Sequence, residues 1–176
     1  MYKDPNSLWG EIAERTLATV DQHLYTEHML WDRFPKKVYA HMGRGYVALM
    51  QVRSDLMKVM FRAGGPRDVH MFFPDSEWKP KRQYIQNNTP GCKTLSYQEW
   101  REIARELDQC LSCIDSLLEL LSKDIPVEIR DWAIKYRQRV LRTKMALEPF
   151  AQEHLGDRSV LYEHEVTEDR GEDNHV

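Results

Sequence analysis

Long hydrophobic runs and cysteine are scarce in this chain of 176 residues, which has 3 Cys, and its 8 Gly and 8 Pro are too few for a collagen-like or low-complexity chain. Its apolar runs last only a few residues, far short of the roughly 20 that cross a bilayer. Residues 1–5 lack the apolar stretch of a secretory signal. Three cysteines in this length do not make a disulfide scaffold. We therefore expect a cytoplasmic protein with no membrane segment.

The residues that are present indicate a folded domain, since 41% are hydrophobic and 30% are charged. Apolar residues recur every three or four positions in four stretches, which is typical of amphipathic helices, and we call each such row a seam. The first seam comprises Trp9, Ile12, Ala13, Leu17, Val20, Leu24 and Trp31, and the second Val38, Met42, Gly45, Leu49, Val52, Leu56, Val59 and Ala63. The third comprises Ile103, Leu107, Cys110, Ile114, Leu117 and Leu121, and the fourth Ile129, Ala133, Tyr136, Val140 and Leu147. Pro35 ends the first stretch, and Ser96 with Glu99 forms a capping box before the third. We predict α-helices near residues 7–33, 36–63, 96–122 and 126–150.

Short turns at Pro35 and Pro126 join these helices into two antiparallel pairs. The simplest prediction is an all-α, four-helix up-down bundle. It comprises a single helical domain at 1–156, with a long aromatic and basic connection at 64–95, followed by an acidic tail at 157–176. Within the connection, 69–73 is the one candidate strand. Gly45 lies on the apolar seam of the second helix, where we expect close packing against a Trp or Tyr of a neighbour.

Charge is strongly segregated along the chain although the net charge is only −3. Residues 35–93 and 126–150 are basic, at +7 and +3, whereas 1–34, 94–125 and 151–176 are acidic. The simplest explanation is mutual neutralisation between neighbouring helices of opposite charge. The acidic tail either is a solvated end or lies over the basic surface and competes with an anionic partner.

A basic and aromatic surface is the candidate partner site. Lysine and arginine beside aromatic rings suit an acidic protein surface, and they also suit single-stranded nucleic acid. In a third interpretation Phe72, Phe73 and Trp78 instead cap an open end of the bundle. The candidate residues of helix two are Lys37, His41, Arg44 and Arg62, and those of the connection are Arg67, Trp78, Lys79, Lys81, Arg82 and Tyr84.

Residue pairs that could carry chemistry have the wrong spacing. His23 and His28 are five apart, so they point about 140° apart on a helix and do not share one metal. We expect surface histidines here. Cys110 and Cys113 both fall in the apolar stripe of helix three, so we expect buried, reduced thiols rather than a redox pair. The sequence predicts no metal and no cofactor.

These observations favour a non-enzymatic helical adaptor or regulatory protein that binds a protein partner through the basic and aromatic surface. Two alternatives stay open. One is a small helical subunit of a nucleic-acid-associated assembly, of ribonucleoprotein or phage type. The other is an enzyme whose site is not visible in the sequence.

Overall fold

Four long α-helices make up most of residues 5–31, 33–74 and 95–162, which are the residues that the computed structural model describes. The all-α class, the four-helix bundle and the long connection between helices two and three are confirmed, and no strand occurs in these residues. The segment at 69–73, the candidate strand, forms a single 3-10 turn at Val69–Met71. The helices are α1 (Pro5–Trp31), α2 (Lys36–Arg62), α3 (Tyr97–Leu120) and α4 (Val127–Leu155).

The start of α3 and the end of α4 show how the local sequence sets the limits of a helix. The capping box of α3 is confirmed, because Ser96 Oγ accepts from the Glu99 amide at 3.1 Å and the Glu99 carboxylate accepts from the Ser96 amide. The predicted end of α4 at 150 is wrong. Pro149 lies inside the helix on its exposed side, where water can replace the missing amide donor. The helix stops at Gly156, whose φ of 68° is left-handed.

Helices α1 and α3 are antiparallel neighbours. Arg15 Nη1 donates to the carbonyl of Ser116 at 2.8 Å near one end, and Gln22 Nε2 donates to the Glu106 carboxylate at 2.6 Å further along. Helices α2 and α4 are also antiparallel neighbours, because the start of α2 lies beside the end of α4, where Lys37 sits over the Phe150 ring.

The order around the bundle is therefore α1, α2, α4, α3, with every neighbouring pair antiparallel. Consequently α3 begins at the end of the bundle where α2 begins, so α2 and α3 run in the same direction. The predicted up-down alternation therefore holds within each hairpin but not between α2 and α3. A helix of 27 residues is about 40 Å long. Returning along that length takes about 12 extended residues. The length of the 64–95 connection is thus partly a requirement of the chain order and is not by itself a sign of function.

The core follows the predicted seams in three helices. In α2, Ala63 of the predicted seam lies past the helix end and is exposed, and Val59 is half-buried. In α3 and α4 every predicted seam residue is buried. The buried seam residues of α2 are Val38, Met42, Gly45, Leu49, Val52 and Leu56. Those of α3 are Ile103, Leu107, Cys110, Ile114 and Leu117, and Leu121 follows directly after this helix. Those of α4 are Ile129, Ala133, Tyr136, Val140 and Leu147.

The buried face of α1 follows the prediction at Trp9, Ile12, Ala13 and Val20, but half of its buried residues are polar. Leu17 and Leu24 are only half-buried, and Trp31 is 52% exposed. Threonines occupy the interior instead. Their hydroxyls donate to carbonyls of the preceding turn, which satisfies the polar group without leaving the helix. The buried polar residues of α1 are Thr16, Thr19, Gln22, His23 and Thr26.

Two non-helical segments pack on the bundle. Phe72 is fully buried and Phe73 half-buried under the Arg53 guanidinium, 4.1 Å from its ring centroid, which supports core capping for these two rings. The second segment covers 157–162, where Val160 and Leu161 are fully buried. The packed region therefore extends past residue 156, where we placed the end of the domain. Residues 163–176 lie outside the described part.

Candidate anion-binding groove

The bundle places its two basic helices side by side. Lysine and arginine outnumber aspartate and glutamate six to one in α2 and six to four in α4. The acidic residues are in excess in α1, four to one, and in α3, six to two. The alternation of charge along the chain predicts neutralisation between neighbours, but α2 and α4 are neighbours of like charge. The cause is the chain order, which brings the second helix against the fourth.

Neutralisation does occur on the other side of α4. Arg137 Nε lies 2.9 Å from Asp115 Oδ1, and Lys144 Nζ lies 2.7 Å from Asp108 Oδ1, so two cations of α4 are paired with α3. The side chain of Lys144 is only 5% exposed. The unpaired positive charge of α4 is thereby concentrated on the side that faces α2.

A groove runs between α2 and α4, and cations dominate its walls. Its central part has a volume of about 260 Å³. A second hollow of about 340 Å³ lies toward the end of α4. We call the two together the cationic groove. The central part is lined by Arg44, Ala48, Trp132, Lys135, Gln138, Arg139 and Arg142, and the second hollow by Lys37, Ala146, Pro149, Phe150 and Glu153.

The cations of the central groove have no carboxylate partner within the described residues. All the ion pairs found there involve other side chains. Among the described residues Glu153 is the one carboxylate on the groove walls, and it lies in the second hollow rather than beside Arg44 or Arg139. Like charges gathered without a counter-charge repel each other, so this arrangement favours binding of an anion.

His41 lies beside the groove and reports its positive potential. Its Nδ1 atom is buried and has no hydrogen-bond partner in the described part of the chain. Burial lowers the pKa of His41, and Arg139, Arg44 and Arg142 lower it further. The same three arginines line the central part of the groove. The imidazole is neutral near pH 7.

Aromatic rings hold the two groove lysines. Lys135 Nζ lies 4.3 Å from the centroid of the Trp132 ring, and Lys37 Nζ lies 5.3 Å from that of Phe150. Cation–π contacts of this kind fix the ammonium groups without neutralising them. One face of each ring is therefore occupied by a cation of the protein itself.

Gly45 allows the two helices to approach at the centre of the groove. A Cβ atom at this position would lie 3.2 Å from Arg139 Cβ and 3.3 Å from Tyr136 Cδ2. The predicted close packing of Gly45 against an aromatic ring is thus confirmed. This approach brings Arg139 of α4 next to Arg44 of α2.

Three of the ten predicted site residues, Lys37, His41 and Arg44, lie in or beside the groove. Arg62 and Arg67 are exposed but do not line it. The other five, Trp78, Lys79, Lys81, Arg82 and Tyr84, lie outside the described residues. The sequence analysis missed the residues of α4, although their spacing carries the signal: Lys135, Arg139 and Arg142 are four and three apart in a basic stretch.

The interior holds a polar cluster that the groove does not use. The prediction of a surface position is wrong for His23, which is fully buried, with Nδ1 3.1 Å from the Tyr136 hydroxyl and Nε2 3.1 Å from Glu27 Oε2.

Burial raises the pKa of the Cys110 thiol to about 12, so the thiolate is scarcely formed. Cys113 differs from the prediction because it is only half-buried.

Comparison with protein-family models, with curated proteins and with solved structures finds no match for this chain. None of the helices in the described ranges combines the length and the apolar character needed to cross a membrane. In the same ranges no three His, Cys, Asp or Glu side chains come together as a metal site would need.

Proposed function

We propose that this protein is a non-enzymatic helical adaptor or regulatory protein that binds an acidic segment of a partner protein in the cationic groove. The observation that carries the proposal is the gathering of Arg44, Lys135, Arg139 and Arg142 with no carboxylate among the described residues to neutralise them. Such a site is incomplete until an anion arrives, and guanidiniums bind carboxylates with good geometry.

An acidic protein segment suits the groove better than a nucleic acid does. Binding of single strands relies on aromatic faces on which bases stack. Here the Trp132 and Phe150 rings already carry lysine ammonium groups. The net charge of −3 and the acidic helices α1 and α3 also disfavour a long polyphosphate. Carboxylates on a flexible side chain reach the guanidiniums without displacing the lysines.

The test measures binding of fluorescent poly-L-glutamate by anisotropy over a salt series. The triple variant Arg44→Glu, Arg139→Glu and Arg142→Glu reverses the central groove. Three exposed cations elsewhere, Lys58, Arg105 and Lys123, are reversed in a control variant, which has the same net charge.

We expect the groove variant to lose at least about tenfold in affinity, because each charge-assisted contact contributes about 1.5–3 kcal/mol. The control should change by about twofold or less. Equal losses in both variants would contradict the proposal, because they would show that net charge rather than the groove governs binding. Tighter binding of a 20-residue oligo-dT than of poly-L-glutamate, with the steep salt dependence of phosphate contacts, would favour the nucleic-acid alternative.

A further inference from the structure

Helix α4 has a second apolar face that points away from the core. Three of the seven large hydrophobic side chains that are exposed in the described part of the chain belong to it: Val127 at 61%, Ile134 at 44% and Met145 at 61%. Leu141, half-buried, lies between the last two. At 100° per residue these four side chains fall within about 40° of each other, and their mean direction is about 140° from that of the buried seam. They form one line, which we call the α4 stripe.

The α4 stripe has the spacing of a helix-pairing seam. With Asp131 and Gln138, its residues alternate four and three apart from 127 to 145, which is about 27 Å of helix. A partner helix with the same rhythm packs along such a line. The two polar positions fix the register of such a pairing, as single polar residues do in coiled coils.

Cations flank the stripe on the side that faces α2. The positions just after its apolar residues include Lys135 and Arg142, which also line the cationic groove. On the other flank, Arg137 and Lys144 are already paired with Asp115 and Asp108 of α3. Flanking charges of this kind select the partner in helix pairing, so a partner with glutamate or aspartate at its flanks is favoured.

A second copy of this chain fits the stripe poorly. Pairing of α4 with α4 would place cations against cations. The carboxylates of another copy that lie nearest its own α4 are already engaged, because Asp108 and Asp115 are paired with α4. We propose that the α4 stripe docks an amphipathic helix of a partner protein, with apolar residues on the stripe and flanking carboxylates that reach the cationic groove. This inference rests on the proposed function and specifies the form of the acidic partner.

The probe is a synthetic 21-residue peptide with leucine at alternate four-three positions and glutamate beside them. A second peptide has the same composition in an order that scatters the leucines around the helix. Poly-L-glutamate, which has no apolar side chain, reports on the groove alone. The stripe variant is Ile134→Gln with Met145→Gln, and Val47→Gln is its matched control, since Val47 is 66% exposed on α2 and lies off the stripe.

We expect the aligned peptide to bind at least about tenfold tighter than the scattered one, because one helix face buries several leucines. The stripe variant should lose that preference, whereas Val47→Gln should keep it. An unchanged preference in the stripe variant, or no preference in the unmodified protein, would overturn the inference. In either case groove-dependent binding of poly-L-glutamate would leave the proposed function standing.

Unfolding in urea provides the second readout. Because the substituted side chains are exposed, the stripe variant should unfold at the same urea concentration as the unmodified protein. A clearly lower midpoint would show that this chain covers its own stripe, and it would overturn the proposal of an external helix. Concentration-dependent self-association that Ile134→Gln with Met145→Gln abolishes would overturn it in favour of a second copy.

Discussion

Replacing Gly45 with alanine tests how closely α2 and α4 approach, on which the cationic groove depends. Glycine-to-alanine substitution inside a helix stabilises it by about 1 kcal/mol if nothing obstructs the methyl group. At Gly45 the new Cβ would lie 3.2 Å from Arg139 Cβ and 3.3 Å from Tyr136 Cδ2. Neither neighbour moves easily, since the first is bonded to the backbone of α4 and the second belongs to a fully buried ring.

Overpacking of this kind costs about 1–3 kcal/mol. Gly45→Ala should therefore change the free energy of unfolding by between about 0 and −2 kcal/mol. Gly43 is the matched control on the same helix, because its Cβ would meet only the end of the Glu27 side chain at 3.7 Å. Gly43→Ala should stabilise by up to about 1 kcal/mol. Urea unfolding measures the difference in the free energy of unfolding between the two variants. Equal urea midpoints would refute the close approach of α2 and α4.

Three further predictions concern the core, the thiols and the ion pairs. Leu56→Ala should lower the free energy of unfolding, measured in urea, by about 2–5 kcal/mol because the side chain is fully buried. A loss below about 0.5 kcal/mol would contradict the placement of Leu56 in the core. A thiol reagent should label Cys113 much faster than Cys110, whose pKa is raised to about 12 by burial, and rapid native labelling of Cys110 would count against its burial. Asp108→Ala should cost about 3–5 kcal/mol because it strands a buried ammonium, whereas Asp115→Ala, which breaks a more exposed pair, should cost about 1 kcal/mol or less. Similar losses in the two variants would contradict the difference in burial.

The sequence predicts helix α3 most completely because local and tertiary signals agree there. Ser96 and Glu99 cap the helix as their spacing requires, and every residue of the four-three seam is buried. In α1 the same rule identifies the helix and four buried residues, but only part of its buried face. Apolar spacing selects Leu17 and Leu24, whereas the interior takes threonines such as Thr16, whose hydroxyls bond to the helix itself. A hydropathy pattern does not predict that a threonine can be buried when its hydroxyl donates to a carbonyl of its own helix.

The chain order is the feature that local patterns do not contain. Tight turns predict which helices form hairpins, but the 64–95 connection permits α3 to start at either end of the bundle. The observed order places α2 beside α4 and so joins two basic helices. For this reason the sequence identifies Lys37, His41 and Arg44 as site residues, but it does not identify Arg139 and Arg142, which complete the groove.

The pKa of His41, followed by NMR with and without poly-L-glutamate, tests most directly whether an anion occupies the cationic groove. In the free protein, burial and three arginines hold the pKa of His41 below its ordinary value. The unfolded state therefore takes up a proton at a higher pH than the folded state does. As a result, the stability of the fold decreases as the pH drops below the ordinary histidine pKa. His41→Gln assigns the resonance. Carboxylates seated among Arg44, Arg139 and Arg142 offset their charge, so the pKa of His41 should rise on saturation. An unchanged pKa in the presence of saturating poly-L-glutamate would contradict the proposed site.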